Sequence, residues 1–370
     1  MTGPASGIGP AVTCVVASAS GDIPFDPALR ETPLEGCPLC TTYGEYFAGL
    51  RDFVLGPGLP VLARELSRQA GKPVPEADIQ AIVLRAQKHG ALYHPASVEV
   101  TCPAGTVTLG VNVATGPHGW AALARERQAL DRLSRDVPQA GLPRPLCFFE
   151  GDRLDFLMVD WFSGFHEFHA AKDGRVVLWN YEGGGLVPLD VSTAREMYRR
   201  AARILALCYD PHTGSRIWPW RHAAGDFVAS LAGGRVQTRL ITARGYAPPS
   251  DVAQDGPEAR TRAFMHFFLT TTLAMRLDRA DGVGESVFLP PWCLEAAVSG
   301  ILETLAGRQM FREILPGIPD AVRGLSPQAW RAVLAADPEF FADPDAAFLL
   351  SRLDGHLADL AAILCGHARH

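Results

Sequence analysis

The stretch that decides the fold begins Ser97-Val98-Glu99-Val100-Thr101-Cys102-Pro103-Ala104-Gly105-Thr106-Val107-Thr108-Leu109-Gly110-Val111-Asn112-Val113. Apolar and polar residues alternate on both sides of the Pro-Ala-Gly turn, which is typical of a β-hairpin. The spacing of apolar residues then predicts a helix from about Trp120 to Arg135, followed by strands at 144–150 and 154–161. The order strand, strand, helix, strand, strand predicts an antiparallel sheet that carries one helix, which is an α+β arrangement.

The sequence before this sheet has two different patterns. Residues 1–42 are rich in Gly, Pro, Ser and Thr and lack periodicity, so we expect an irregular arm. Residues 43–92 predict a helical appendage. Its first helix is expected to begin near Tyr43, its second to cover 60–69 and its third to cover 75–88.

The sequence after the sheet predicts a second, mainly helical lobe. The sheet lobe is expected at 93–165 and the helical lobe at 166–370. Within the second lobe the pattern predicts helices at 193–209, 257–278, 291–306, 327–335 and 343–366, a hairpin at 175–189, and one strand at 236–242.

Composition and charge exclude several classes of partner. The 370 residues carry a formal net charge of −6, and Lys72, Lys88 and Lys172 are the only lysines. Basic residues do not cluster, so a face that binds nucleic acid is not expected. No run reaches the roughly 18 apolar residues of a membrane span, and the start lacks the basic and apolar regions of a signal peptide. We therefore expect a cytoplasmic protein with neither nucleic acid nor a membrane as partner.

Two pairs of residues have the spacing of metal ligands. Cys37 and Cys40 form a CxxC pair without a second pair, so structural or incidental cysteines are expected, with metal binding and redox chemistry as open alternatives. Most of the other cysteines are expected to be free, buried thiols. His166 and His169 flank Glu167 without a third ligand nearby, so we expect an exposed helix start there rather than a metal site.

Three segments resemble the aminoglycoside phosphotransferase and choline kinase group of the kinase-like superfamily. They read Ala124-Arg125-Glu126-Arg127-Gln128-Ala129-Leu130-Asp131-Arg132-Leu133, Leu142-Pro143-Arg144-Pro145 and Leu157-Met158-Val159-Asp160-Trp161-Phe162-Ser163-Gly164. The resemblance covers about residues 97–280 and implies a two-lobed protein-kinase-like fold. It also implies that Glu126 makes an ion pair and that the backbone of Val159, Asp160 and Trp161 contacts the adenine of ATP.

A fourth segment, within 217–230, resembles the catalytic loop of the same group. It reads His222-Ala223-Ala224-Gly225-Asp226. The resemblance implies that Asp226 accepts the proton of an attacking hydroxyl, with His222 beside it in the catalytic site. It also implies ATP and Mg²⁺ as cofactors and a small molecule or a protein as the substrate, whose identity stays unknown.

Several positions depart from the pattern of that group. The strand that should carry the phosphate-anchoring lysine is 109–113, which contains none. No asparagine follows Asp226 at the distance of about five residues that the group uses. The next strand leads to Thr242 and Arg244 where the group has a metal-binding aspartate. The usual residues for holding phosphate and metal are therefore missing, and the metal ligands are unknown.

Three interpretations stay open. In a divergent phosphotransferase, Lys88 or Arg244 contacts phosphate and Asp251 or Asp255 lies near the metal. In a pseudokinase, the protein is a binding or regulatory module, and Asp226 holds its own loop through hydrogen bonds. The third interpretation is an α+β enzyme of another kind. A contact of Lys88 or Arg244 with Asp226 would favour the phosphotransferase.

Overall fold

The computed structural model describes most of the chain, namely residues 9–18, 21–35, 41–87, 90, 93–180, 185–249, 256–282, 284–311, 315–324, 326–335, 337–341 and 343–367. The chain divides into two compact units. Unit 1 consists of Met1–Asp131 and Pro143–Ser163, and unit 2 consists of Arg132–Leu142 and Gly164–His370. Helices and sheets occur in both units, so the α+β class predicted from the sequence is confirmed.

The elements that begin in unit 1 are β1 (Ala11–Val16), β2 (Ile23–Pro24), α1 (Tyr43–Leu55), α2 (Leu59–Ala70), β3 (Ala81–Ala86), β4 (Ala96–Cys102), β5 (Gly105–Thr115), α3 (Gly116–Asp136), β6 (Pro145–Glu150) and β7 (Leu154–Asp160). The strands form one seven-stranded sheet in the order β2-β1-β3-β4-β5-β7-β6. The predicted order strand, strand, helix, strand, strand is confirmed as β4, β5, α3, β6 and β7, and these strands pair antiparallel.

The core of unit 1 lies between this sheet and helices α1 and α2. The residues of β4 and β5 that enter the core alternate along each strand, as Val98 and Val100 do in β4 and Leu109 and Val111 in β5. Leu50 of α1 is fully buried in the same cluster. Burying one such aliphatic side chain contributes about 1.5–3 kcal/mol, so apolar packing fixes the helices on the sheet.

The helix expected at 75–88 is wrong, because strand β3 lies there between β1 and β4. In β3 the side chains of Ile82, Leu84 and Ala86 are buried and the residues between them are only half-buried, which is the period of two of a strand. Ile79, Ile82 and Ala86 also have helical spacing, so a short apolar segment of this kind fits both patterns.

The expectation of an irregular arm over residues 1–42 is wrong at Ala11–Val16 and Ile23–Pro24, which are strands. Strand β1 pairs parallel with β3 along its whole length, and β2 pairs antiparallel with β1. The sheet of unit 1 is therefore mixed and larger than the small antiparallel sheet expected from the sequence. The β-branched residues Val12, Thr13, Val15 and Val16 favour this extended segment.

The elements of unit 2 are β8 (His166–Ala170), β9 (Val176–Asn180), β10 (Gly185–Pro188), α4 (Val191–Cys208), β11 (Arg216–Ile217), β12 (Phe227–Ser230), β13 (Gln237–Leu240), β14 (Tyr246–Ala247), α5 (Pro257–Met275), β15 (Leu277–Arg279), β16 (Ser286–Phe288), α6 (Pro291–Ala306), α7 (Ile318–Gly324), α8 (Pro327–Ala335), α9 (Pro338–Phe341) and α10 (Ala346–His367). The five helices predicted from the sequence match α4, α5, α6, α8 and α10. The predicted hairpin matches β9 and β10, and the predicted strand matches β13.

Unit 2 also contains more sheet than a mainly helical lobe would have. Strands β10, β9, β8, β12 and β13 form a five-stranded antiparallel sheet in that order. Strands β8 and β12 are absent from the sequence-based prediction. On the helical side, α4 packs directly on α6, where a Cβ on Gly300 would lie 2.2 Å from the carbonyl oxygen of Arg199. Only glycine permits this approach.

The described cysteines are free thiols, as expected, but half of them, Cys102, Cys208 and Cys293, are buried, whereas Cys14, Cys147 and Cys365 are half-buried. Cys37 and Cys40 lie outside the described residues. Across the described ranges, no helix combines the length and the apolar composition that crossing a lipid bilayer requires.

Candidate functional site

The loop that resembles a catalytic loop lies in unit 2 and leads into strand β12. His222–Ala224 forms a single 3₁₀ turn, which ends at Gly225 with a φ of +72°. The positive φ favours glycine here, and a Cβ at Gly225 would lie 2.5 Å from a carboxylate oxygen of Glu167, which would have to shift. The turn directs the next residue, Asp226, back toward the start of the loop.

Asp226 is almost completely buried, with 1% of its surface exposed. Its Oδ2 accepts a hydrogen bond of 2.6 Å from the backbone N–H of Arg221. The guanidinium of Arg244 binds the same carboxylate with both Nη atoms, Nη1 donating to Oδ2 and Nη2 donating to Oδ1. Asp226 and Arg244 thus form a two-pronged, charge-assisted ion pair that closes the loop.

A second ion pair extends this network. The guanidinium of Arg221 pairs with the buried carboxylate of Asp343, and its Nη1 donates to the carbonyl oxygen of Trp220 at 2.6 Å. It also lies over the ring of Trp218, 5.1 Å from the ring centroid. Burial lowers the pKa of Arg221 to about 10, so this arginine is still charged at neutral pH.

His222 has a different environment from Asp226. It is 2% exposed and lies among the rings of Phe168, Tyr198, Trp220 and Phe227 at centroid distances of 4.9–5.7 Å. Burial lowers the pKa of His222 to about 4, so the imidazole is neutral at pH 7. This environment is that of a core histidine and supports a packing role.

The residues expected near adenine lie in unit 1. Val159 of β7 lies between Gly110 of β5 and Pro145 of β6, so strands flank it on both sides. The N–H of Asp160 donates to the carbonyl oxygen of Arg144 at 3.2 Å. This bond occupies one N–H of the segment whose backbone was expected to contact adenine.

The side chains of the same segment are also engaged or exposed. The carboxylate of Asp160 accepts bonds of 2.8 and 2.7 Å from Nε and Nη2 of Arg144. Trp161, directly after β7, is 39% exposed. Glu126 of α3 is completely buried. Lys88, and likewise Asp251 and Asp255, lie outside the described residues.

A buried polar cluster in unit 2 was not predicted as such. His169 of β8 is completely buried, with Nδ1 at 3.3 Å from Oδ1 of Asp278 and Nε2 at 3.1 Å from Oε2 of Glu167. Burial lowers the pKa of His169, but the bonds to Asp278 and Glu167 outweigh it and raise the pKa to about 9. The exposed helix start expected at His166 and His169 is wrong, because the segment is a strand and His169 is an internal cation.

Among the residues that the structure describes, it joins Asp226 with Arg244, as one of the predicted pairs required. Arg221 and Asp343, which complete the network, were missed by the sequence analysis. Arg221 lies inside the predicted segment 217–230, directly before His222, but no role was predicted for it, and nothing in the local sequence of Asp343 marks that residue. Within the described part of the chain, no three His, Cys, Asp or Glu side chains are grouped so that they could hold a metal ion. No protein-family model and no curated protein matches the sequence.

Proposed function

We propose that the chain is a binding or regulatory module with a kinase-like layout that does not transfer phosphoryl groups. Arg244 contacts Asp226, as the phosphotransferase interpretation required, but it does so by binding the carboxylate with both Nη atoms, and this occupied carboxylate is the observation that carries the proposal. A general base must offer an oxygen lone pair to the hydroxyl that it deprotonates. A carboxylate has about four lone-pair sites, and N–H groups of Arg221 and Arg244 use three of those on Asp226.

The surroundings of Asp226 support the same proposal. Its side chain is 2% exposed, so the one lone-pair site that these bonds leave on the carboxylate is closed to a substrate hydroxyl from solvent. His222 is neutral and enclosed by aromatic rings, which makes it unsuited to relay a proton to solvent. In the pseudokinase interpretation, Asp226 holds its own loop, and its hydrogen bonds fit that role.

A divergent phosphotransferase is the second candidate, and it is favoured by the position of Arg244 beside Asp226. Arginine binds phosphate through two parallel N–H bonds, as it binds the carboxylate of Asp226 here. A nucleotide phosphate that replaced Asp226 on Arg244 would release the carboxylate for use as a base. The two candidates therefore differ in whether ATP displaces the carboxylate of Asp226 from Arg244.

ATP turnover by matched variants separates the two candidates. Asp226→Asn keeps the shape of the side chain and removes its charge, and Asp359→Asn does the same in an ion pair of Asp359 with Arg276 outside this network. The proposal predicts no turnover above a buffer blank for the wild type and both variants, with Mg²⁺ or Mn²⁺. ATP turnover by the wild type and by Asp359→Asn, but not by a folded Asp226→Asn, would establish the phosphotransferase.

A further inference from the structure

A groove on unit 1 carries an inference that is independent of the loop around Asp226. It has a volume of about 480 Å³ and lies beside α1, Pro57 and the connection between β6 and β7. We call it the α1–β7 groove. Its lining includes Glu45, Asp52, Phe53, Phe149, Asp152 and Phe156. Ligand sites typically have volumes of about 300–1,000 Å³. The α1–β7 groove falls in this range and has room for one or two large side chains.

The floor of the α1–β7 groove is aromatic. The rings of Phe53 and Phe156 are stacked, with centroids 4.7 Å apart and planes 7° apart. Phe149 lies beside both, at 6.2 Å from Phe53 and 6.5 Å from Phe156. Phe149 is 40% exposed, whereas Phe53 and Phe156 are buried. An incoming apolar side chain would therefore cover a ring that water now contacts, which is favourable.

The rim of the groove is acidic. It carries the carboxylates of Glu45, Asp52 and Asp152 against the single guanidinium of Arg153. Arg153 donates from Nη1 to Oε1 of Glu45 at 2.5 Å, so this cation is already paired. Among the described residues, the exposed carboxylates of Asp52 and Asp152 have no ion-pair partner. The groove thus combines an apolar floor with an excess of negative charge.

We propose that the α1–β7 groove binds a basic segment of a protein partner, in which one aromatic or aliphatic side chain is flanked by Lys or Arg. The apolar side chain would lie on Phe149, and the cations would meet Asp52 and Asp152. Arginine also stacks favourably on aromatic rings. The same carboxylates repel nucleic acid and anionic membranes. A protein segment of this charge is the occupant that fits both floor and rim.

A designed peptide tests the proposal directly. The probe is a fluorescein-labelled hexapeptide with a central Trp-Leu pair and two Lys or Arg on each side, and the control peptide has Glu in place of each basic residue. Fluorescence anisotropy is expected to show binding of the basic peptide and no binding of the Glu control peptide. Because exposed charges are screened by salt, raising the salt to about 0.5 M is expected to weaken binding severalfold.

Matched variants locate the binding. The double variant Asp52→Asn/Asp152→Asn is expected to weaken peptide binding about tenfold, equal to about 1.4 kcal/mol, while Glu76→Gln/Asp78→Asn, with two exposed carboxylates outside the groove, leaves it unchanged. Phe149→Ala is expected to weaken binding, and Ile23→Ala, another exposed apolar residue of unit 1, is not. Each variant is checked for an unchanged unfolding midpoint.

Three outcomes would overturn the inference. They are no binding of the basic peptide, equal binding of the Glu peptide, and equal losses in the groove variants and their controls. The same titration with Asp226→Asn separates this inference from the proposed function. Peptide binding that survives in Asp226→Asn belongs to the groove, whatever the ATP assay gives.

Discussion

Arg244 binds Asp226 through both of its Nη atoms, so the carboxylate expected to act as a base is one half of a buried ion pair. The side chains are 18% and 2% exposed, respectively. Removing one partner of such a pair leaves a charge in a poorly solvated position, which costs more than the pair itself contributes. Replacing Asp226 is therefore expected to lower the stability of the fold.

Asp226→Asn is expected to lower the free energy of unfolding by about 3 kcal/mol, since Arg244 then loses the carboxylate that both of its Nη atoms bind. Denaturant unfolding monitored by tryptophan fluorescence measures this loss. Adding Arg244→Gln is expected to recover part of it, because the uncompensated charge disappears, so the two losses are not additive. Fully additive losses would contradict the direct coupling of Asp226 with Arg244.

Gly225→Ala is expected to lower the free energy of unfolding by about 2–4 kcal/mol. The positive φ alone costs about 1–2 kcal/mol for a residue with a Cβ, and the contact with the Glu167 carboxylate adds to it. Gly174→Ala is the control, since Gly174 has a φ of +79° but open space around its Cβ position. If Gly225→Ala lowered the free energy of unfolding no more than Gly174→Ala does, the contact with Glu167 would add nothing to the cost.

His169 is expected to make stability depend on pH in the alkaline range. Its pKa is about 9 in the folded state against 6.5 in the unfolded chain, so its stabilisation is complete below pH 6.5. That stabilisation is lost as the pH rises through about 9, and a difference of this size corresponds to about 3 kcal/mol. The difference in unfolding free energy between wild type and His169→Gln should therefore shrink from pH 6 to pH 10. A difference that stays constant over this range would rule out a buried imidazolium.

His222 is expected to make stability depend on pH in the acidic range. Its pKa is lowered to about 4 by burial, so stability is lost as the pH falls from about 6.5 to 4, because the unfolded chain takes up the proton. His222→Phe keeps the ring among its aromatic neighbours and is expected to fold with a flatter dependence on pH in this window. If wild type and variant lost stability in parallel on acidification, His222 would not be the buried neutral group described here.

Much of the fold can be predicted from the sequence because apolar periodicity is strong where one face packs on a core. Val98, Val100, Leu109 and Val111 alternate clearly, and the hairpin of β4 and β5 follows from them. Strand β3 is ambiguous, since its few apolar residues fit a helix and a strand equally. Only its pairing with β1 and β4 decides between them.

Strand β8 was missed for a different reason. His169 is polar, and its burial depends on Asp278, a residue far along the chain. The same applies to the partnership of Arg221 with Asp343. Charged residues are common on any surface, so sequence alone does not reveal which two of them meet inside the fold. The Asp226 position was predicted from a short motif, but its state as an ion pair follows only from the fold.

Thermal unfolding with and without millimolar ATP tests the central claim most directly, because a ligand that binds the folded state alone raises the unfolding midpoint. Parallel samples contain Mg²⁺ or Mn²⁺, and Asp226→Asn is measured beside the wild type. We predict no ATP turnover by the wild type, and no rise or only a small rise in its midpoint. A clear rise that Asp226→Asn retains, together with turnover that Asp226→Asn abolishes, would contradict the account and establish a phosphotransferase.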